Sequence, residues 1–541
     1  MKKSLSISFL CSLLLFAGSC RHESYTLQSV VPERIEVTSA LDTNPMPEAV
    51  KFLKPYLAGV DSLRSPYIGQ SALFMTGGRP ESLLSNWVAD ALVATGKRMG
   101  YAPDLGICNM GGLRAAMPQG TVRRGDILAI SPFENFFTIL TLKGSDLLDL
   151  MENIAEVHGE GVSSSVRLVI TRGGQLKSAK VNGENIDPRR LYTIATLDYL
   201  ADGNDKLHAF KRSVDRTDTD QTVNEALMEH LRLLDAKGQK ATAAIEGRIV
   251  EVNEGEAPLK VRHAEVGDDP APIEIRTPGG TDTKKLLVVH TNDTHSCIEP
   301  LSPLLADTAQ ADKGGYLRRA ALLRDLRKKN PGLLLFDCGD FSQGSAYYSL
   351  YHGNVEVGLM NFIGYDAATI GNHEFDYGVE NMARIFRLAK FPIVCCNYDF
   401  TGTAAEGLVK PYVILKRSGL RIGVLGVSPE LEGLVAAHTC EGVTYTDPIE
   451  AAQPVADYLK NEEKCDLVIC LSHLGWQVAT VSDEDLIPAT RNIDIVLGGH
   501  SHTYFRSPQV LQNADGIPVP DNQMGKNGRY VGTLRLTLTR P

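Results

Sequence analysis

The chain has 541 residues, of which 43% are hydrophobic and 22% charged, with a formal net charge of −10. This length is enough for two or three domains with substantial cores. The negative charge argues against binding to a nucleic-acid polymer, which needs a basic surface, but it does not exclude a small nucleotide.

The first twenty residues have the features of an export signal. Lys2 and Lys3 precede a largely apolar stretch, residues 5–16, that is too short to span a bilayer comfortably. Small residues and Cys20 end it, an arrangement that resembles a bacterial lipoprotein signal and implies lipid attachment at Cys20. The alternative is an ordinary cleaved signal with a chance cysteine. We therefore expect export to the periplasm or the cell surface, with the membrane contacted only through this lipid anchor.

Three further segments precede the most informative half of the chain. Residues 21–45 are polar and irregular and predict a tether. Residues 46–253 predict a domain with helices over 81–99, 145–156 and 223–234, where apolar residues recur at helical spacing. Residues 254–284 are rich in Pro, Gly and charge and predict a flexible linker.

Residues 285–541 contain five polar stretches that each follow an apolar, β-rich run. Such runs are typical of strands buried on both faces of a helix-covered sheet. Ligand sites in these folds lie at the carboxyl ends of the strands, so we expect the stretches to meet at one edge. They are Asn292-Asp293-Thr294-His295, Asp337-Cys338-Gly339-Asp340, Gly371-Asn372-His373-Glu374-Phe375-Asp376, Ser472-His473-Leu474-Gly475 and Gly498-Gly499-His500-Ser501-His502.

These stretches supply Asp, Asn and His side chains in the number that two metal ions with a shared carboxylate need. A single stretch would also fit a polar turn that caps the next helix. The stretches resemble the motif series of the calcineurin-type metallophosphoesterase superfamily: D-x-H, G-D, G-N-H-E-x-D, S-H-x-G and G-H-x-H. The residues at 290–293 and 371–376 resemble the 5′-nucleotidase branch of that superfamily more narrowly. The resemblance implies an α/β (α+β) fold, with a four-layer β-sandwich flanked by helices and a separate α/β substrate-binding domain.

The resemblance also implies roles for individual residues. Asp293, His295 and His502 would hold one divalent ion, and Asn372, His473 and His500 would hold the other. Asp340 would bridge the two ions, which could be Zn, Mn, Fe or Co. His373 would stabilise the transferring phosphoryl group or protonate the leaving oxygen, and Asp376 would orient its imidazole.

Residues 46–253 resemble the nucleotide-binding domain that normally follows the metal domain in 5′-nucleotidases. The matching pieces are 109–114, 132–135 and 199–205, so the two domains would occur in reversed order. Phe133 and Tyr199 would stack on the base, and Asp205 would accept hydrogen bonds from the ribose hydroxyls. The residues expected to contact phosphate or base are Arg79, Asn109, Arg114 and Asn135.

The sequence therefore predicts an exported dimetal phosphohydrolase, a 5′-nucleotidase that uses a metal-activated hydroxide to remove phosphate from nucleotides. The alternatives are a 2′,3′-cyclic-nucleotide phosphodiesterase or a UDP-sugar hydrolase of the same family, and a nucleotide-binding lipoprotein without turnover. The partner in every case is a small-molecule nucleotide. The sequence does not determine the oligomeric state.

Overall fold

The computed structural model describes residues 24–133, 135–252, 265–267, 270–276, 280–303, 309–478 and 480–540. They form two domains, each with its own apolar core. The sandwich domain comprises residues 24–64 and 265–540, and the inserted domain comprises residues 66–252. The predicted fold class, an α/β sandwich with a separate α/β domain, is confirmed.

The strands of the first half of the chain are β1 (Thr26–Glu36), β2 (Tyr67–Ser71), β3 (Leu105–Cys108), β4 (Gly120–Arg123), β5 (Phe136–Lys143), β6 (Gly161–Val162), β7 (Val166–Thr171), β8 (Leu176–Val181), β9 (Glu184–Asn185), β10 (Leu191–Leu197), β11 (Asp215–Thr222), β12 (Ile249–Val252), β13 (Glu265–Val266) and β14 (Ile273–Glu274). The strands of the second half are β15 (Asp282–Thr291), β16 (Leu334–Asp337), β17 (Ala367–Ala368), β18 (Ile393–Val394), β19 (Tyr398–Asp399), β20 (Val409–Lys410), β21 (Tyr412–Arg417), β22 (Leu420–Val427), β23 (Thr444–Tyr445), β24 (Leu467–Ser472), β25 (Ile495–Leu497), β26 (Tyr504–Phe505), β27 (Gln509–Gln512), β28 (Pro518–Asn522) and β29 (Tyr530–Arg540).

The α-helices are α1 (Pro47–Arg64), α2 (Leu83–Arg98), α3 (Arg124–Ile130), α4 (Gly144–Glu156), α5 (Asp198–Ala201), α6 (Val223–Ala236), α7 (Tyr316–Lys329), α8 (Ala346–Tyr351), α9 (Asn354–Ile363), α10 (Gly378–Phe386), α11 (Pro448–Asn461) and α12 (Asp483–Ala489). Short 3-10 helices occur at Ser39–Thr43, Met110–Gly112, His208–Arg212, Asn372–Phe375 and Ala437–Cys440. None of the helices within the described residues is long and apolar enough to cross a bilayer.

The sandwich domain has four layers. An eight-stranded sheet has the order β14-β1-β29-β15-β16-β17-β18-β20, and a six-stranded sheet has the order β21-β22-β24-β25-β28-β27. Strand β16 shows why its sequence is continuously apolar: Leu334 and Phe336 enter the core between the sheets, and Leu335 faces the helices on the other side. Each such burial stabilises the fold by about 1.5–3 kcal/mol.

The N-terminal segment does not behave as the sequence predicted. Strand β1 pairs with β29 over ten residues, from Thr26 opposite Thr539 to Glu36 opposite Tyr530. Leu27 and Val30 are buried in the core between the two sheets. The prediction of a tether over residues 21–45 is therefore wrong from residue 26 onward, because this segment completes the eight-stranded sheet. Residues 1–20, with Cys20, lie outside the described residues.

The predicted start of the first domain at residue 46 is also wrong. Helix α1 buries Leu53 and Val60 in the helical layer of the sandwich domain, together with side chains of α7, α9 and α10. The chain enters the inserted domain only after Arg64 and returns to the sandwich domain by residue 265. The inserted domain thus lies, in the sequence, between two parts of one sandwich.

The inserted domain contains a five-stranded sheet in the order β11-β5-β10-β3-β6 and a four-stranded sheet in the order β12-β7-β8-β9. The three helices predicted there are confirmed as α2, α4 and α6. Helix α6 begins at a capping box. The Thr222 side chain accepts a hydrogen bond from the backbone nitrogen of Glu225, and the Glu225 side chain accepts one from the backbone nitrogen of Thr222.

The predicted linker, residues 254–284, is attached to the sandwich domain in its described parts. Residues 265–266 pair with β26, residues 273–274 pair with β1, and Ile275 is buried. Strand β15 already begins at Asp282 rather than at the predicted 285. The prediction of a free linker is wrong for these residues, because they form strand pairs. Residues 253–264, 268–269 and 277–279 lie outside the described part of the chain.

Candidate active site

The five polar stretches converge because their strands are parallel neighbours. Strands β15, β16 and β17 are adjacent and parallel in the eight-stranded sheet, and β24 and β25 are adjacent and parallel in the six-stranded sheet. Parallel strands present their carboxyl ends at the same edge. The loops that follow these five strands carry all seven predicted ligands and both predicted catalytic residues: Asp293, His295, Asp340, Asn372, His373, Asp376, His473, His500 and His502.

Asp293, His295 and His502 form one group, with one possible ligand atom from each lying within 4.8 Å of the others. The Nε2 atoms of the two histidines are 2.8 Å apart. Each also lies near Asp293 Oδ1, at 3.9 Å for His295 and 3.5 Å for His502. Burial raises the pKa of Asp293 to about 7. The group is compact enough to hold one ion.

Asp293, Asp340 and His473 form a second group of the same size. His473 Nε2 lies 3.2 Å from Asp340 Oδ2, although the geometry is not that of a hydrogen bond. Burial would raise the pKa of Asp340, but the positive charges of His473 and His373 outweigh it and hold the pKa well below its usual value. Asn372 joins this side of the site, since its Oδ1 is 3.1 Å from His500 Nδ1.

The backbone around these residues is constrained. Five of the seven predicted ligands have a positive φ, between 43° and 68°: Asp293, His295, Asp340, His500 and His502. This left-handed region is uncommon for residues with a Cβ and tends to be held at functional sites by the surrounding structure. At Gly371, an added Cβ would lie 2.6 Å from the backbone nitrogen of Asp340. Only glycine therefore lets the 371–376 loop approach the Asp340 loop this closely.

The residues present fit divalent ions. His473 Nε2 is buried without a hydrogen-bond partner and points at Asp340. His295 Nε2 and His502 Nε2 lie 2.8 Å apart, close enough to hydrogen-bond to one another or to bind one cation together. Imidazole with carboxylate and amide oxygen is the donor set of Zn, Mn, Fe and Co sites. The other ring nitrogen of His473, Nδ1, is oriented by the carbonyl oxygen of Cys338 at 2.7 Å.

His373 and Asp376 form a pair beside the ligands. His373 Nδ1 is 3.1 Å from both carboxylate oxygens of Asp376. Burial lowers the pKa of His373, but Asp376 and Asp340 outweigh it and raise the pKa to about 9. The imidazolium form is thus favoured at neutral pH. His373 also lies within the reach of a third possible metal group, with His295 and Asp340.

The inserted domain reaches this site directly. The ring of Phe133 lies 6.1 Å from the ring of His373, centroid to centroid. The Arg114 guanidinium also contacts Phe133, with its central carbon 5.3 Å from the ring centroid. Burial lowers the pKa of Arg114, while Asp205, Asp340 and Asp376 act to raise it, so the guanidinium lies between carboxylates of both domains.

Three more predicted substrate residues form one hydrogen-bonded cluster. Asn109 Nδ2 donates to Asp205 Oδ2 at 2.5 Å, and the Tyr199 hydroxyl donates to Asp205 Oδ1 at 3.1 Å. Burial raises the pKa of Tyr199, so its hydroxyl stays protonated. Asp205 itself has a positive φ of 54°. The loop that begins at Asn109 and the loop around Asp205 are thereby held together, and the first of them also carries Arg114.

The other two predicted substrate residues are held by different contacts. Arg79 donates from Nε to the carbonyl oxygen of Gly159 at 2.7 Å and forms an ion pair with Glu160. Glu160 also accepts from the backbone nitrogen of Met110, so Arg79 supports the loop next to Asn109. For Asn135, the described contact is its carbonyl oxygen, which accepts from Val223 N at 2.8 Å at the start of α6.

Sequence reasoning missed Lys526, which lies in the loop between β28 and β29. Three hydrogen bonds attach this loop to the first ligand stretch. The local signal, Gly525-Lys526-Asn527-Gly528, predicts a turn and carries no chemical signature by itself. Its position next to Asp293 follows from the pairing of β29 with β15, which sequence patterns do not specify.

Two family models match the chain. Residues 286–504 match the model of the calcineurin-like phosphoesterase, and residues 68–212 match the model of the 5′-nucleotidase C-terminal domain. Both ranges lie inside the domains described above.

Curated relatives match about half of the chain. The 5′-nucleotidase of Rattus norvegicus is 32% identical over 271 residues, which cover 47% of this chain and 46% of the relative. The snake venom 5′-nucleotidase of Gloydius brevicauda is 30% identical over 270 residues, which cover 47% of this chain and 45% of the relative. The chain thus spans about half the length of the curated relatives it matches.

Solved structures give similar matches. The 5′-nucleotidase precursor of Thermus thermophilus is 30% identical, with a TM-score of 0.43, and the match covers 46% of this chain and 51% of that one. The NAD nucleotidase of Haemophilus influenzae is 26% identical, with a TM-score of 0.42, and the match covers 48% of this chain and 55% of that one. The two family models and the curated relatives together support a metal-dependent phosphoester hydrolase.

Proposed function

We propose that the chain is a dimetal phosphohydrolase that removes phosphate from nucleotides at a site built by both domains. The observation that carries the proposal is the contact between Phe133 and His373, whose ring centroids are 6.1 Å apart. A base-stacking candidate from the inserted domain thereby lies next to a phosphoryl-transfer candidate from the sandwich domain. A phosphate ester without an aromatic group would make no stacking contact with Phe133.

The metal ligands would be divided as the sequence indicates. Asp293, His295 and His502 would hold one ion, and Asn372, His473 and His500 the other, with Asp340 between them. The compact groups around Asp293 and Asp340 support this division. When bound, two divalent ions supply Lewis acidity to the phosphoryl group and activate a water molecule as the nucleophile.

His373 would serve as the proton donor. Its pKa of about 9 keeps the imidazolium form populated at neutral pH, and Asp376 holds the ring through Nδ1. Nε2 is therefore the atom that carries the transferable proton toward the leaving oxygen. The positive charge of the same ring also stabilises the negative charge that develops on the phosphoryl oxygens.

The inserted domain would select a nucleotide. Phe133 and Tyr199 would stack on the base, a contact worth about 1–3 kcal/mol per ring that tolerates different bases. Asp205 would accept from the ribose hydroxyls, and Arg114 and Asn109 would contact phosphate or base. Arg79 and Asn135 would act mainly by supporting these loops, because their described contacts are with Glu160, Gly159 and Val223.

The order of the two modules would be nucleotide-binding first and metal-binding second, with the first inserted into the second. The matched ranges 68–212 and 286–504 support this order. Because β1 pairs with β29, the sandwich domain begins in the sequence before the nucleotide-binding module.

We also propose export with a lipid anchor on Cys20, which the sequence indicates and which lies outside the described residues. Cys20→Ser should prevent lipidation and release the protein from the membrane fraction. A correctly processed Cys20→Ser protein that stays with the membrane would contradict the anchor without affecting the proposed reaction.

One assay tests the proposed reaction. The purified protein, loaded in turn with Mn²⁺, Zn²⁺ and Co²⁺, is given nucleoside 5′-monophosphates, 2′,3′-cyclic nucleotides and p-nitrophenyl phosphate. Released phosphate is measured for the monoesters, and the ring-opened nucleoside monophosphate is measured for the cyclic nucleotides, because opening the ring releases no phosphate. We expect kcat/KM for a 5′-monophosphate to exceed that for p-nitrophenyl phosphate by at least about tenfold, the value of one stacking contact. A higher kcat/KM for the generic ester would contradict the nucleotide assignment. A preference for the cyclic nucleotide would favour the phosphodiesterase alternative.

A further inference from the structure

Arg319, in the first turn of α7, is a charged side chain buried inside the sandwich domain, with an exposed fraction of 0%. The central carbon of its guanidinium lies 4.0 Å from the centroid of the Tyr316 ring, which belongs to the same helix. A Cβ added to Gly528 would lie 2.7 Å from that carbon. The guanidinium therefore packs between the start of α7 and the backbone of the loop that joins β28 to β29.

The guanidinium has no acceptor for its hydrogen atoms. None of its three nitrogens has a hydrogen-bond partner, and among the described residues Arg319 forms no ion pair. Its charge lowers the pKa of Asp337, but both oxygens of that carboxyl group have other partners. They accept from Thr291 Oγ1 at 2.7 Å and from Gly339 N at 3.1 Å. The positive charge of Arg319 is thus without a direct anionic partner in the part of the chain that the structure describes.

A buried arginine cannot relieve this condition by losing its proton. The guanidinium stays protonated in proteins, whereas a lysine or histidine in the same place would become neutral. A buried charge without a counter-charge strongly destabilises a folded protein, and buried polar groups are almost always hydrogen-bonded. The burial of Arg319 therefore indicates that an anion accepts hydrogen bonds from it.

The Tyr316 hydroxyl is a second buried donor at the same place. Its oxygen is buried and has no hydrogen-bond partner. Burial raises the pKa of Tyr316 well above its ordinary value, so the hydroxyl stays protonated and can donate. Because the guanidinium stacks on the ring that carries this hydroxyl, one small anion beside the ring can accept from both groups.

We propose that Arg319 and the Tyr316 hydroxyl bind one chloride ion inside the sandwich domain. The single charge of Arg319 matches a monovalent anion, and the complete burial of both donors requires a small ion that enters as the domain folds. A phosphate or sulfate group would bring more negative charge than Arg319 neutralises. The ion stabilises the contact of α7 with the loop after β28, in which Asn527 N donates to the carbonyl oxygen of Asp293 at 2.7 Å. It thereby supports the first ligand stretch without touching a metal ligand.

Bromide locates the site directly. The full-length protein is crystallised with bromide in place of chloride, and anomalous difference maps are recorded on both sides of the bromine absorption edge, which separates bromide from metal ions. We expect a bromide ion within hydrogen-bond distance of the Arg319 guanidinium in the wild type and none there in Arg319→Met. Bromide at surface positions only, or a bromide that persists in Arg319→Met, would overturn the proposal.

Thermal unfolding measures the effect of the ion in solution. Chloride is titrated against gluconate at constant ionic strength, and chloride at about a hundred times its Kd should shift the folding equilibrium of the wild type about hundredfold toward the folded state. Arg319→Met keeps a long apolar side chain but removes the charge, so its Tm should not depend on chloride. Arg324→Met is the matched control, because Arg324 is a partly exposed residue of α7 that pairs with Asp325, and it should respond to chloride as the wild type does.

The behaviour without chloride separates an anion site from a merely structural arginine. In chloride-free buffer Arg319→Met should unfold at a Tm no lower than that of the wild type, because it removes an uncompensated buried charge. Tyr316→Phe keeps the ring and the charge of Arg319, and it should bind chloride at least about tenfold more weakly. This variant gives the second test if Arg319→Met does not fold. A wild type whose Tm does not respond to chloride, or an equal response in Arg319→Met, would contradict the site.

Discussion

The sandwich domain should fail to fold without its N-terminal strand and helix. Strand β1 lies between β14 and β29, and removal of residues 24–64 would expose the full edge of β29. The deletion also removes five large side chains that are almost fully buried: Leu27, Val30, Val37, Leu53 and Val60. At about 1.5–3 kcal/mol each, the loss is about 8–15 kcal/mol, which equals the whole stability of a typical domain.

Two proteins test this expectation. The first is the fragment 265–541, which contains every predicted metal ligand and lacks residues 24–64. The second joins residues 24–65 to residues 265–541 through a flexible Gly/Ser linker of about 20 residues, which omits only the inserted domain and has a mean reach of about 25 Å. Each is expressed, and its thermal unfolding is followed by circular dichroism together with turnover of p-nitrophenyl phosphate in Mn²⁺.

The fragment should be insoluble or melt without cooperativity, and the joined protein should melt cooperatively and turn over the ester. Equal cooperative melting of both proteins would refute the reasoning, because β1 and α1 would then be dispensable. If neither protein melts cooperatively, the inserted domain is also needed for folding. The contacts between α1 and α3 are then the first candidates for its contribution to stability.

Four further outcomes concern the metal site and the proton donor. Asp340→Ala should lose activity and bound metal, measured by atomic emission, because Asp340 belongs to two of the ligand groups; full activity would contradict its bridging role. His373→Asn should keep its metals and lower kcat by roughly 10²–10⁴; a lost ion would instead make His373 a ligand. A donor works only while protonated, so activity should fall as pH rises through the pKa of His373, about 9. Asp376→Asn removes a charge that raises this pKa, so the alkaline limb of the kcat–pH profile should move to lower pH; an unmoved limb would exclude His373 as its source.

The metal-binding edge could be predicted from the sequence because its strands are continuously apolar. Runs such as Leu334–Phe336 are buried on both faces, so the polar residue that follows each run must lie at the sheet edge. The spacing within each stretch then brings residues such as Asp293 and His295 to the same loop. The helices α4 and α6 were predictable for the related reason that each has one buried face, and α2, which is buried around most of its circumference, still repeats its apolar residues at helical spacing.

The place of the N-terminal segment could not be predicted in the same way. Strand β1 contains Pro32, Glu33 and Arg34, which favour a loop, and its partner β29 lies some five hundred residues later. The pairing depends on the tertiary arrangement and leaves no local pattern. Helix α1 was not among the predicted helices, and its periodicity does not say which of two cores receives Leu53 and Val60. The same argument applies to Lys526, whose neighbours are set by strand pairing.

The central claim is that one site uses the metals of the sandwich domain and the base-binding residues of the inserted domain. Its most direct test is the double variant Phe133→Ala with Tyr199→Ala, assayed on a nucleoside monophosphate and on p-nitrophenyl phosphate. Loss of two stacking contacts, at about 1–3 kcal/mol each, should lower kcat/KM for the nucleotide at least tenfold and leave the generic ester nearly unchanged. Equal losses on both substrates, or none on the nucleotide, would contradict the claim.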